Sequence, residues 1–389
     1  MMDFFHAMSE KRAVPHHRRF SVIEGQRKRW ALGSAAVLCS LLVPATAAQA
    51  SAGHAEVRAS ARTGSTGTGT VGTNAGSAAG GAQSQVADTA GSGYPRPAPR
   101  AYVVNQSSND VSVIDTATNR VTATIPVGTS PFGIAIDPRH RRAYVTNHGS
   151  DDVSVIDTLT NRVTSTVAVG TGPFGVAVDE RRGRVYVADD VGGTVSVINT
   201  ANQTLAETVN VGGNPFGVAV DESRGRAYVT NIATNAVSVI NTLTDQVSST
   251  IPVGSTPVGV AVDPSGRKAF VTNLASNTVS VINTTGNTVS STITVGASPY
   301  GIGLDPSRDR AYVANQGENT VSVINTSRNT VIASVPVGDA PLGVATLPAR
   351  GRVYVTDLLS DDVSVIDASR NRKLTTVPVG AGPAGVAIG

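Results

Sequence analysis

A phrase that returns every 42 residues governs what this chain can fold into. The aromatic of an Ala-Tyr-Val-Thr-Asn-like phrase stands at Tyr102, Tyr144, Tyr186, Tyr228, Phe270, Tyr312 and Tyr354. A Val-Ser-Val-Ile phrase starts at Val111, Val153, Val195, Val237, Val279, Val321 and Val363, and a Val-Gly pair ends at Gly128, Gly170, Gly212, Gly254, Gly296, Gly338 and Gly380. The spacing holds through seven copies with no insertion or deletion. Such a period marks a repeat architecture, in which one unit cannot bury its apolar face until it stacks on its neighbours.

Each copy reads as four strands. In the second, Tyr144 to Asn147, Val153 to Asp157, Val163 to Val169 and Phe174 to Asp179 alternate or run apolar, as half-buried and buried strands do. Turn residues separate them: Thr158 to Asn161, Gly170-Thr171-Gly172-Pro173 and Glu180 to Gly183. Forty glycines and only 4% aromatic residues suit many short strands joined by tight turns. Four strands at this period predict an all-β, seven-bladed β-propeller over residues 96–389, built from four-stranded antiparallel blades. The chain enters on Ala101 to Asn105 and leaves on Pro383 to Ile388. The C-terminal strand is therefore expected innermost in the first blade, against the three N-terminal strands, which closes the ring and leaves no open edge.

The Tyr-Val-Thr-Asn phrase, followed by V-S-V-I-D/N, V-G-x-x-P-x-G and V-A-V-D, resembles the YVTN family of β-propeller repeats, which is similar in turn to surface-layer and lactonase-like propellers. The resemblance covers all seven copies. It implies extracytoplasmic binding roles without one shared reaction, and its lactonase-like branch implies a divalent metal held by acidic and amide side chains in the central channel.

The N-terminus reads as an address. Lys11, Arg12, Arg18, Arg19, Arg27, Lys28 and Arg29 precede an uncharged run from Ala31 to Ala47, and Ala48-Gln49-Ala50 suits a signal peptidase. Residues 1–50 are expected to be a signal peptide, with export by the general route rather than the twin-arginine one. Residues 51–95, almost wholly Ala, Gly, Ser, Thr and Gln, are expected to be a disordered linker. The mature chain would then hold no cysteine, no membrane span and a net charge of −1, since the leader carries seven of the 31 basic and three of the 28 acidic side chains. A secreted or cell-surface monomer is expected.

Catalytic residues do not stand out, and none is assigned. The propeller's two histidines, His140 and His148, fall in turns and read as solvated. The innermost strands read Gly-Ile-Ala-Ile-Asp or Gly-Val-Ala-Val-Asp, with no Glu or His to face a channel. No CxxC, HExxH, Walker or GxGxxG pattern has a plausible context.

Charge, by contrast, is sorted. Chain direction alternates from strand to strand, so loops fall on two opposite faces. All 20 basic residues after Arg100 belong to one face, with twelve acids, and the other carries acids alone. Arg139, Arg141, Arg181, Arg182, Arg370 and Arg372 are candidates for an anionic partner such as a cell-wall polymer, an acidic glycan or nucleic acid. Asp110, Asp151, Asp152, Asp189, Asp190, Asp357, Asp361 and Asp362 form a crescent that is a candidate for a divalent cation or a basic partner. A ring of cations, Arg142 and its equivalents two residues before each aromatic, is expected to close hairpins by salt bridges to acids such as Asp137. Between Pro and Gly of each turn into the innermost strand stand Phe132, Phe174, Phe216 and Tyr300 in four copies, candidates for gripping a ligand or for packing between blades. The expected function is non-enzymatic binding or scaffolding, the alternatives being a metal-dependent lactonase-like hydrolase at the channel mouth and nucleic-acid binding on the basic face.

Overall fold

The computed structural model describes residues 99–389, except 264 and 266; the expected signal peptide, the linker and the first residues of the propeller range lie outside them. The described chain forms twenty-eight strands in seven antiparallel four-stranded sheets. Blade 1 combines the innermost strand Pro383–Ile388 with Arg100–Asn105, Asp110–Asp115 and Arg120–Pro126. Blades 2 to 7 begin at Pro131, Pro173, Pro215, Pro257, Pro299 and Pro341, and each runs outward from its innermost strand. The expected closure is present: Ala101 pairs with Ile388, and Arg100 and Gly389 exchange backbone hydrogen bonds of 2.7 and 3.0 Å. Among the described residues no helix is long and apolar enough to cross a membrane.

Turn chemistry follows the period. The last residue of the loop between second and third strands has positive φ in all seven blades, at Asn119, Asn161, Gln203, Asp245, Asn287, Asn329 and Asn371. Asn and Asp tolerate that region better than most residues, which is why the loops stay short and identical in length.

The apolar core lies between blades rather than within them. Tyr102, Val104, Val111 and Val113 of blade 1 pack with Ala143, Val145 and Ile156 of blade 2, and the same arrangement recurs around the ring. The repeated tyrosines and isoleucines are fully buried. Each contributes about 1.5–3 kcal/mol on burial, so stability accrues only as blades stack.

The repeated phrase also supplies polar joints. Its Asn donates to the Ser on the neighbouring strand, as Asn147 does to Ser154 at 2.9 Å and Asn273 to Ser280 at 2.9 Å. Its Thr bridges blades: Thr146 Oγ1 accepts from Gly133 N–H at 2.8 Å and donates to the carbonyl of Phe174 in the next blade at 2.6 Å. Its Tyr reaches the next blade's outer turn, and Tyr354 Oη donates to Asn119 at 3.0 Å across the closure.

The ring of cations departs from expectation. Asp137 and Arg142 are register partners, yet the carboxylates pair with the side chain three residues on: Asp137 with His140 at 2.7 Å, Asp179 with Arg182 at 3.0 Å, Asp221 with Arg224 at 3.3 Å and Asp305 with Arg308 at 2.8 Å. Several of the ring cations instead reach the next blade. Arg100 donates to Thr158 O at 3.1 Å, Lys268 to Thr326 O at 2.6 Å, and Arg142 and Arg226 to Thr200 O and Thr284 O. They are inter-blade staples. The carbonyls at a turn offer a better-placed acceptor than a carboxylate already held by its own turn.

Candidate binding surfaces

Loop-to-loop hydrogen bonds identify the two faces. Thr158 N–H bonds to Arg141 O and Thr200 N–H to Gly183 O on the basic face; His148 N–H bonds to Ser130 O and Asp190 N–H to Gly172 O on the acidic one. On the basic face Arg120, Arg139, Arg141, Arg162, Arg181, Arg224, Arg267, Arg328, Arg350, Arg370, Arg372 and Lys373 are exposed, whereas Asp309 is the one exposed acid among its described residues. The remaining acids there are recessed, several of them beneath their own cations. Asp367, for example, accepts from Ser369 and Arg370, which hold its carboxyl well below the usual range. A partner therefore meets a more positive surface than formal charge suggests. A cavity of about 540 Å³ on this face is lined by Arg224, Arg267, Lys268, Asn283, Thr285 and Ser290, which include no carboxylate.

The candidate arginines are not equivalent. Arg182 is held by Asp179 and also donates to Glu222 O at 3.2 Å. Arg181 lies 3.6 Å from Glu222 and Arg370 2.9 Å from Asp367, but both side chains are about two-thirds exposed. Arg139, Arg141 and Arg372 are exposed and have no carboxylate within salt-bridge distance among the described residues.

The acidic crescent is mostly engaged in local structure. Asp110 accepts from Asn105 at 2.6 Å and Asp152 from Asn147 at 2.5 Å. Asp151 and Asp361 accept the N–H of Gly172 and of Gly382, each at 2.8 Å, the task Asn109 and Asn235 perform elsewhere. Asp189 and Asp357 occupy the position that is Asn in the other five blades. Burial pushes the Asp189 carboxyl up to about 6, against which Ser196 and Thr194 donate. Burial also raises Asp357, which faces Asp362 across the strand pair.

The channel metal implied by the lactonase-like resemblance does not fit these residues. Among the described residues no group of three or more His, Cys, Asp or Glu is placed to hold an ion. The channel, with a cavity of about 190 Å³, is lined by glycines and aliphatic residues such as Gly175, Val176, Gly259 and Val260.

At the acidic face that channel is closed by aromatic rings. Each innermost strand is irregular between its Pro and the residue three on, as between Pro131 and Ile134, and such a bulge re-aims the side chain it carries. Phe132, Phe174, Phe216 and Tyr300 converge across the axis, with ring centroids 4.9 Å apart for Phe132 and Phe174, 4.5 Å for Phe174 and Phe216, and 5.7 Å for Phe216 and Tyr300. The four candidates are thus brought together, packed on one another. Burial carries the Tyr300 hydroxyl far above its usual range.

A second ring was missed. The residue after each repeated Asn, or after the Asp that replaces it in blades 3 and 7, at Gln106, His148, Asp190, Ile232, Leu274, Gln316 and Leu358, donates its N–H to the loop that leads into its blade. These positions keep the period, which was the available signal. His148 is not solvated as expected: its ring stacks on Phe174 at 4.4 Å. Asp190 is 8% exposed; burial raises its pKa, and the neighbouring Asn214 and His148 act against that rise.

No family model matches the chain, and neither does any curated protein. Solved structures do. The chain is similar to hydrazine synthase of Kuenenia stuttgartiensis, at 22% identity over 68% of this chain and 91% of that one with a TM-score of 0.64. A functionally unknown protein from Desulfotomaculum acetoxidans matches at 18% identity over 74% and 98%, with a TM-score of 0.67. A 6-phosphogluconolactonase candidate from Bacteroides uniformis matches at 16% over 75% and 99%, with a TM-score of 0.64. At these identities the likeness is one of fold, and proteins of such unlike names sharing a propeller leave function to be argued from surfaces.

Proposed function

We propose that this chain is an exported, non-enzymatic binding propeller of the YVTN type that docks an anionic polymer on its basic face, at the cell surface. The observation that carries this reading is the contrast on that face between twelve exposed cations and one exposed acid. A flat, ring-wide field of one sign favours a long polyanion over a small ligand. The repeated tyrosine rings beneath the face are fully buried, so no stacking platform for nucleic-acid bases accompanies the cations, and a phosphodiester or uronate wall polymer suits them better. Export rests on the charge and hydropathy order of residues 1–50.

Co-sedimentation of the purified protein with bacterial wall material tests the reading, beside a variant with Arg139, Arg141, Arg181 and Arg372 changed to Ser. Binding at low salt that both high salt and the variant abolish is the expected result. Failure of the wild type to sediment at low salt overturns it.

A further inference from the structure

The cavity of about 540 Å³ on the basic face opens where blade 4 meets blade 5: Arg224 comes from the first loop of blade 4, and Arg267, Lys268, Asn283, Thr285 and Ser290 come from blade 5. The loop between first and second strands ends in glycine in blades 4 and 7, and the preceding blade's arginine lies over it. Arg182 Nη2 is 2.9 Å from a Cβ built on Gly225, and Arg308 Nη2 is 3.2 Å from one built on Gly351. In blade 5 the same position is Arg267, so the equivalent arginine of blade 4, Arg224, shares its cavity with a second cation. Arg224 reaches Asp221 at 3.3 Å, a looser pair than Arg308 and Asp305 at 2.8 Å or Arg182 and Asp179 at 3.0 Å. Arg267 is exposed and has no carboxylate within salt-bridge distance among the described residues. The acid of its own loop, Asp263, accepts the N–H of Ser265 at 2.8 Å and does not line the cavity. Lys268, held by Thr326 and Asn329, adds positive charge to the wall. Asn283 Oδ1 accepts from Thr285 N–H at 2.9 Å, which leaves its amide nitrogen to donate.

We propose that this cavity binds a phosphate group carried on a polyol or sugar, with the phosphate between Arg224 and Arg267 and the carrier's hydroxyls on Asn283, Thr285 and Ser290. Two like charges in one cavity repel, and an anion between them relieves the repulsion. A planar carboxylate matches one guanidinium fork, whereas a tetrahedral phosphate presents oxygens to two guanidiniums that approach from different blades. The volume exceeds what a bare phosphate fills and falls in the range of about 300–1,000 Å³ typical of small-ligand sites. Beyond the cations the wall offers uncharged donors and acceptors, which suit hydroxyl groups. The inference rests on the basic-face reading and narrows its ligand from any polyanion to one that bears phosphate. Arg139, Arg141, Arg181 and Arg372, on which that reading is tested, stand outside the cavity.

Nuclear magnetic resonance titration of the full chain tests it, following the side-chain Nε–H signals of Arg224 and Arg267 at constant ionic strength. The probes are glycerol 3-phosphate, the diester of phosphate with two glycerols, and glucuronate. At least one phosphate is expected to shift both signals saturably with a single Kd, and glucuronate to bind at least fivefold more weakly than that phosphate. Arg267→Gly, which copies blades 4 and 7 at an exposed position, is expected to weaken phosphate binding at least tenfold, read on Arg224. Arg120→Ser, which removes an exposed cation of blade 1 across the ring, is expected to change it less than twofold. A diester that binds at least as tightly as the monoester assigns the cavity to a polymer's repeating unit; a monoester at least tenfold tighter assigns it to a free polyol phosphate. Saturable phosphate binding by a protein that does not sediment with wall material keeps the cavity and removes the polymer, whereas sedimentation without saturable phosphate binding does the reverse. The proposal is overturned if neither phosphate saturates, if glucuronate binds equally well, if Arg267→Gly retains wild-type affinity, or if Arg120→Ser loses as much as Arg267→Gly.

Discussion

Lys268 donates to the backbone carbonyl of Thr326 at 2.6 Å, 58 residues further along the chain and one blade away. The same ammonium lies 3.2 Å from Asn329 Oδ1, so one side chain holds two acceptors of its neighbour's turn. The interaction joins the second strand of blade 5 to the outer turn of blade 6.

Loss of that staple is expected to be felt as stability. Lys268→Met keeps the apolar stem and removes a charge-assisted hydrogen bond of about 1.5–3 kcal/mol. Lys268→Arg is expected to retain it, because arginine makes the same bond from this position in blades 1, 2 and 4. Denaturant midpoints of the two variants check the pair, and equal midpoints would show that the contact contributes nothing.

Asp189 gives a pH dependence with a defined sign. Its carboxyl titrates near 3.8 when unfolded and near 6 when folded, because burial disfavours the charged form. The stability tied to its protonated form is therefore fully present below about pH 4 and is lost as pH rises through 6. Asp189→Asn copies blade 5, where Asn273 donates to Thr278 at 3.0 Å and to Ser280 at 2.9 Å, beside the same Thr and Ser as in blade 3. Thermal melts are expected to show the variant more stable above pH 7 by about 1–3 kcal/mol and equal to wild type near pH 4. A variant destabilised at pH 8 would refute this account.

Ring closure predicts a third outcome. Truncation after Gly382 removes the innermost strand of blade 1 and bares the edge of Arg100–Asn105, whose Ala101, Val103 and Val104 are wholly buried in the closed ring. An open apolar edge pairs with other chains. Size-exclusion chromatography is expected to show the truncated protein as oligomers or aggregate, and a monodisperse monomer of wild-type melting temperature would contradict the closure.

What was legible in the sequence, and what was not, divides along a physical line. The period placed every strand, the closing strand and the sorting of charge between faces, because these depend on position along the chain. The partners of Arg142 and Lys268 were misread because they lie 58 residues away and depend on how one blade is rotated against the next. The stacking of His148 on Phe174 escaped for the same reason, being set by a bulge in the neighbouring blade's innermost strand. The acids of the crescent looked like one feature in sequence. In the fold Asp151, Asp189 and Asp357 carry out separate turn and strand tasks that asparagine performs in other blades, while Asp110 accepts from Asn105 as Thr278 and Thr320 accept from theirs.

The pairing of Ala101 with Ile388 also orders events in time. Arg100–Asn105 precedes its innermost partner by almost three hundred residues, so six blades can assemble from contiguous stretches of chain while the first waits incomplete. The edge that opens the propeller stays unsatisfied until the last six strand residues emerge. Completion of the ring therefore waits for the last strand of the chain, and until that strand docks Arg100–Asn105 offers its edge to any other copy nearby.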